Sequence, residues 1–289
     1  MSAPTVSHGG SAAASSAHSN LPFGRRALNW WRRHVLAIYS IGGIAYLLTP
    51  VVWIAMFSFN QPLGRQNTSW HKFSTAAWTN ICRDQTICSS VRVSFSIGLL
   101  ITVVATIMGT LITYAIVRQR FLGRATTELL IFLPMATPEV IMGSSLLTLF
   151  LNMLFPLGFW TITIAHIMFT ISFIVIVVKA RLGSMDPRLE QAAQDLYATP
   201  PQAFRYVTLP ILLPGILAAA LLGFSLSFDD FIITNFVNGT TVTFPMYIWG
   251  AAQRGIPPQV NVVATLMFVG SLTLVAVGAL IARARRKTN

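Results

Sequence analysis

The chain has 289 residues, 54% of them hydrophobic and only 10% charged, against about 25% charged in a soluble domain. With a mean hydropathy of +0.65, it excludes a soluble globular fold and makes the bilayer the natural solvent. The net charge of +12 does not indicate nucleic acid, because it is spread over four loops rather than gathered in a basic domain.

The first twenty residues, "MSAPTVSHGGSAAASSAHSN", are rich in Ser and Ala and read as a disordered tail within residues 1–30. The chain does not open on a basic n-region, and the first apolar run is longer than the h-region of a signal peptide. From residue 31 to 289 the chain reads as one membrane domain.

Six apolar segments follow, at about 34–59, 89–117, 127–155, 160–178, 210–236 and 261–282. None has the alternating pattern of a barrel strand, so the fold class is an all-α polytopic membrane protein with six transmembrane helices. Arg and Lys set the orientation. Fifteen of the twenty basic residues fall before segment one, between two and three, between four and five, and after six. Arg65, Lys72, Arg83, Arg92 and Arg254 fall on the other side. Both termini are therefore expected in the cytoplasm.

The first outer loop holds the only cysteines, Cys82 and Cys88. They either form a disulfide in an oxidising exterior or remain free thiols. Segment three contains "LPMATPE", where Pro134 and Pro138 remove helical hydrogen bonds and predict a kink beside Glu139. Segments three and four are separated by little more than "PLGF" and form a hairpin. His166 stands alone in segment four, which suits a hydrogen bond to a neighbouring helix better than a metal site.

The connection between segments four and five, about 180–209, has structure of its own. Leu189, Ala192, Ala193 and Leu196 follow helical spacing, and Asp186-Pro187 makes an N-cap and first-turn pair. Thr199-Pro200-Pro201-Gln202 fits a capping box. Two short helices joined by a tight turn are predicted, projecting into the cytoplasm.

Segment five contains "LLGFSLSFDDFIIT". A carboxylate in mid-membrane costs about 2.5–3.5 kcal/mol, so Asp229, Asp230 and Glu139 are candidate functional residues. On a continuous helix Asp229 and Asp230 point about 100° apart. One would face a pathway and the other a neighbouring helix, with Ser225 and Ser227 on the same polar strip. Beside Phe224, Phe228 and Phe231, the carboxylates suit an organic polycation. The alternative is that they lock helix packing or pair with a partner's Arg. Adjacent carboxylates on one helix cannot face each other as a protease dyad must.

No Walker A, H-E-x-x-H, G-x-S-x-G or C-x-x-C pattern occurs, and the five histidines do not cluster. The chain reads as no enzyme, with no metal or cofactor of its own.

The 180–209 loop resembles the EAA coupling loop of permease subunits of type I ABC importers. It reads Gln191-Ala192-Ala193, Gln194-Asp195-Leu196, Tyr197, with Leu209-Pro210 downstream. The resemblance extends over nearly the whole chain beyond residue 34. With "LPMATPEVIMGSSLL" and "SFDDFIITNF", it is most similar to the second permease subunit of spermidine/putrescine importers. Two positions depart from the pattern. Gln191 stands for the usual Glu, with Glu190 one residue earlier, and Tyr197 stands for a Gly that would permit a positive-φ helix stop. The cap and prolines at Thr199–Pro201 offer another stop.

The resemblance implies a type I importer permease core in a bacterial cytoplasmic (inner) membrane, with both termini cytoplasmic. The implied partners are a sister permease, two ATP-binding cassette subunits that use the ATP, an extracytoplasmic substrate-binding protein and membrane lipid, with no nucleic acid. Glu190, Gln191, Ala192, Ala193, Asp195, Leu196, Tyr197 and Ala198 would form the ATPase-coupling loop. Asp229, Asp230, Glu139, Ser225, Ser227 and Phe228 would line the pathway. "FPMYIWGAAQRGIPPQ" would face the binding protein, or re-enter the interface on Tyr247 and Trp249. Related permeases carry phosphonate, iron or sulfate, so another small solute is the alternative substrate. An ATP-independent transporter is the alternative class, and it gives the loop no role.

Overall fold

The structure is a computed structural model that describes the backbone of residues 23–64 and 66–287. Arg65 and the tail before Phe23 lie outside the described residues, so the expected disorder there is not addressed. The chain divides into two units, Met1–Trp53 and Ile54–Asn289. In the first, the described residues form helix α1 (Phe23–Phe57), which starts before the boundary at residue 31 and runs on into the second unit. Its stretch His34–Phe57 is apolar and, at 24 residues, long enough to cross a bilayer.

Among the described residues of the second unit the regular structure is helical, apart from an isolated bridge between Asn60 and Phe73. Its elements are α2 (Ala76–Thr79), a 3₁₀ turn (Ile81–Arg83), α3 (Gln85–Arg118), α4 (Arg124–Ala136), α5 (Glu139–Asn152) and α6 (Phe159–Gly183). Then come α7 (Arg188–Asp195), α8 (Pro200–Ala203), a π-helical turn (Phe204–Thr208), α9 (Leu209–Asp229), α10 (Ile232–Val237), α11 (Phe244–Arg254) and α12 (Pro258–Lys287).

Among the described residues, five helices are long and apolar enough to span a membrane, and the pair α4 and α5 makes a sixth span if counted together. The pair bends by 107°. The predicted kink is thus a full break, and its cause is local. Pro138 disfavours helical geometry in the residue before it, and Thr137 is extended at φ −83°, ψ 132°.

The core lies among α3, α6 and α9. Ile97, Ile101 and Ala105 of α3 pack with Ile162, Ile174 and Val178 of α6 and Leu212, Ile216 and Ala219 of α9. Lipid gives apolar helices no hydrophobic reason to associate, so close contact through small residues matters more. A Cβ on Gly109 would lie 2.6 Å from Ile174 Cγ2, and one on Gly223 would lie 2.9 Å from Thr170 Cγ2. These two glycines let α3 and α9 approach α6.

One expectation changes here. The second short helix of the 180–209 loop is not separate, because Pro200–Asp229 forms one continuous 30-residue span. Pro210 and Pro214 lack N–H donors, and the π turn shifts the hydrogen-bond register ahead of them, with Leu209 N–H donating to Phe204 C=O. Only α7 stands apart.

Candidate functional site

Helix α7 begins as predicted, with Asp186 Oδ1 accepting the Arg188 N–H at 2.9 Å. Gln202 Oε1 likewise accepts the Thr199 N–H at 2.8 Å, supplying the Gln half of the predicted capping box. The helix does not stop at the prolines. It ends in a Schellman motif, with Ala198 N–H donating to Ala193 C=O at 3.0 Å and Tyr197 N–H to Gln194 C=O at 2.9 Å. Tyr197 occupies the left-handed region at φ 66°, at a cost of about 1 kcal/mol that a glycine would avoid.

Helix α7 leaves large apolar groups exposed and buries a carboxylate. Leu189 is 45% exposed, Leu196 82% and Tyr197 97%. Gln191, Ala192 and Asp195 are also exposed, with Ala193 and Ala198 half-buried. Glu190, expected on the docking surface, instead turns inward and is buried. Its Oε2 lies 3.1 Å from Arg118 Nε, and its Oε1 accepts from Arg118 Nε at 3.2 Å and from Thr208 Oγ1 at 2.8 Å.

The second constellation sits where α9 gives way to α10. Asp229 and Asp230 do not share a helix as expected: α9 ends at Asp229, and Asp230 is extended at φ −64°, ψ 126°. Asp230 Oδ2 accepts from Thr234 N–H and Thr234 Oγ1, both at 2.8 Å, and so takes up a free N–H in the first turn of α10 from the position before its N-cap, Phe231. His166 Nε2 lies 3.1 Å from the same oxygen and 3.0 Å from Thr234 Oγ1, while His166 Nδ1 lies 3.0 Å from Ser227 Oγ. A neutral imidazole satisfies this set, with Nε2–H donating to Asp230 and Nδ1 accepting from the Ser227 hydroxyl.

The predicted polar strip therefore divides. Asp230 and Ser227 face inward onto His166, whereas Asp229 and Ser225 are exposed, as is Glu139 at the first position of α5. Neither Asp229 nor Glu139 joins an ion pair among the described residues. The two breaks are structurally linked. Phe236 of α10 lies against Gly143 of α5, where a Cβ would come within 2.6 Å of its ring. Phe228 belongs to a ring cluster, 5.2 Å from Phe95 and 5.6 Å from Phe224. Thr234 was missed in the sequence; its partnership with Asp230 depends on the break between α9 and α10, which no local pattern marks.

At the end of the domain away from α7, the cysteines form a disulfide, which settles that alternative. Between them Asp84 caps α3 through the Thr86 N–H at 2.9 Å and accepts from Tyr247 Oη at 2.9 Å. The Thr86 N–H, helped by the Tyr247 hydroxyl, holds the Asp84 carboxyl below its usual range. Burial and the hydrogen bond to Asp84 push Tyr247 up to about 12. A cavity of about 1170 Å³ opens beside this tether, lined in part by Asn80, Arg83, Asp84, Tyr247 and Arg254.

Comparison with known proteins matches residues 101–287 to the family described as "Binding-protein-dependent transport system inner membrane component". The chain belongs to this family. The permease is 34% identical over 240 residues to the spermidine/putrescine transport system permease protein PotC of Haemophilus influenzae, covering 83% of this chain and 93% of that one. It is 34% identical over 280 residues to the putrescine transport system permease protein PotI of Escherichia coli K12, covering 93% and 96%.

Among solved structures, a bacterial ABC transporter involved in the import of the acidic polysaccharide alginate aligns with TM-score 0.68 at 18% identity, over 91% of this chain and all of that one. The transporter with its alginate-pentasaccharide-bound periplasmic protein aligns with TM-score 0.68 at 19% identity, over 92% and 98%. At these identities the likeness shows the fold. The permease is thus a multi-pass inner-membrane transport subunit of the ABC importer type, not an enzyme.

Proposed function

We propose that this permease forms half of the translocation pathway for a polyamine in an ATP-driven importer, with Asp229 as the carboxylate that meets the cation. The observation that carries the reading is the division at the α9–α10 break: Asp230 is committed to His166 and Thr234, while Asp229 is exposed at the end of an apolar span. An exposed carboxylate at such a place needs water, a cation or a partner. Glu139 and Ser225, also exposed, are secondary contacts, and Phe228 contributes aromatic surface nearby. Relatives named for spermidine and putrescine transport support the cation class.

The other parts follow from the same reading. A sister permease supplies the second half of the pathway. Two ATPase subunits bind and hydrolyse the ATP, and this chain binds no cofactor. The outward apolar side of α7, from Leu189 through Tyr197, docks on one ATPase. Both termini and α7 lie in the cytoplasm. The disulfide, α11 and the wide cavity face outward, where the binding protein delivers its load.

The test is uptake by the reconstituted complex. Asp229→Asn keeps shape and removes charge, and should sharply lower spermidine uptake while leaving assembly intact. Wild-type uptake by that variant rejects Asp229 as the cation contact. Transport of an anion instead of spermidine by the unmodified complex rejects the polyamine reading.

A further inference from the structure

The geometry points to Glu190 as a positioning residue that ties α7 to the ends of two spanning helices, so that movement of a docked ATPase reaches α3 and α9 through its carboxylate. This inference rests on the reading that α7 docks on the ATPase. Its basis is the direction in which Glu190 faces. It sits one residue before Gln191-Ala192-Ala193, in the first turn of α7, and is buried while Leu189 beside it and Leu196 at the end of the helix are exposed. A short helix that presents apolar groups outward and buries its carboxylate is built to hold something on each side.

Each partner of that carboxylate belongs to a different element. Arg118 is the last residue of α3, and Thr208, fully buried, directly precedes α9. Side-chain exposures of 16% for Arg118 and 11% for Glu190 place the ion pair in a mostly dry setting. There, removing one partner leaves the other as an uncompensated charge. Arg118 Nη2 is buried without a hydrogen-bond partner, so Glu190 is the carboxylate that holds this guanidinium in place. Tyr114 of α3 packs against Phe204 of the π turn with ring centroids 4.6 Å apart, which joins the two receiving elements beside the pin. A displacement of α7 is therefore passed to both helices at once, through a polar contact that cannot slide as an apolar one can.

The experiment uses the whole complex in liposomes: this permease, its sister, both ATPases and the spermidine-loaded binding protein. Spermidine moved per ATP hydrolysed is the readout. Glu190→Gln keeps an acceptor for Thr208 and removes the charge facing Arg118. The variant complex should retain both ATPases, and its transport per ATP should fall by about tenfold, within the usual range for coupled sites. Arg118→Gln should behave alike, and the double variant should be no worse than the worse single, because both remove one interaction. Glu190→Asp and Thr208→Val give the same readout if Glu190→Gln does not accumulate. An unchanged ratio overturns the inference. Loss of the ATPases from Glu190→Gln also overturns it, because Glu190 would then serve docking itself. If Ala193→Asp and Leu196→Asp both retain the ATPases and full transport, the docking reading fails, and the pin fails with it.

Discussion

His166 of α6 and Asp230 at the α9–α10 break are joined at 3.1 Å, with side chains only 3% and 6% exposed. The contact makes the break a fixed feature of the core. His166→Ala should leave Asp230 short of a donor and Ser227 short of a partner, costing about 1–3 kcal/mol. Thermal unfolding of the purified complex should show a lower Tm for His166→Ala and for Asp230→Ala. Asp229→Asn should leave Tm unchanged and lower uptake instead. Equal stability losses at both aspartates would contradict this division of labour.

Docking through α7 predicts a separate phenotype. Ala193→Asp places a charge in the apolar stripe and should abolish ATPase co-purification while membrane insertion remains normal. Tyr197→Gly removes the left-handed strain, about 1 kcal/mol of local cost, and should preserve transport. A complete loss of ATPase binding in Tyr197→Gly would show instead that the ring is an anchor.

The Asp84–Tyr247 tether has a defined pH window. Asp84 is held below its usual range, so its contribution is present above the ordinary carboxylate pKa and disappears as pH falls through the lowered value. Tyr247 is raised, so its contribution is present below about pH 10 and is lost as pH rises toward about 12. Linkage therefore keeps the tether intact across neutral pH. Tyr247→Phe should lower Tm slightly at pH 7, and the difference from the wild type should vanish as pH falls through the lowered Asp84 value. Melting curves across pH would check this.

Helix contact at glycine gives a packing prediction. Gly109→Val must push its branched side chain into Ile174, and overpacking of this kind costs about 1–3 kcal/mol. Lower yield and lower Tm are expected, whereas Gly183→Ala, with open space around its Cβ position, should be close to silent.

Orientation is testable by reporter fusions. Those at Gln202 and at the C-terminus should report cytoplasm, and those near Arg83 and Gln253 the exterior. A cytoplasmic signal at Gln253 would break the six-span topology.

The spans, the Asp186 cap and the kink beside Glu139 were all legible in the sequence, because hydropathy, proline and capping act locally. The paired aspartates were misplaced on one helix because nothing local marks the break at Asp230. The break depends on Thr234 and on His166, which is 64 residues away in sequence. The inward turn of Glu190 was hidden for the same reason, since its partners Arg118 and Thr208 come from other elements. Tyr197 shows the reverse case, in which the hydrogen bonds of the Schellman stop override the reluctance of a non-glycine residue.

Helix α3 acts as a ruler across the bilayer. Its 34 residues extend about 51 Å at 1.5 Å per residue, against a hydrocarbon thickness of about 30 Å. Its start is bracketed by the Cys82–Cys88 bond, capped by Asp84 and tied to Tyr247, so the helix has little freedom to shift lengthwise there. The surplus length must appear as tilt or as an overhang at the Arg118 end. A thicker or thinner membrane would then change how far Arg118 stands from the lipid surface, and with it the height at which α7 is held above the bilayer.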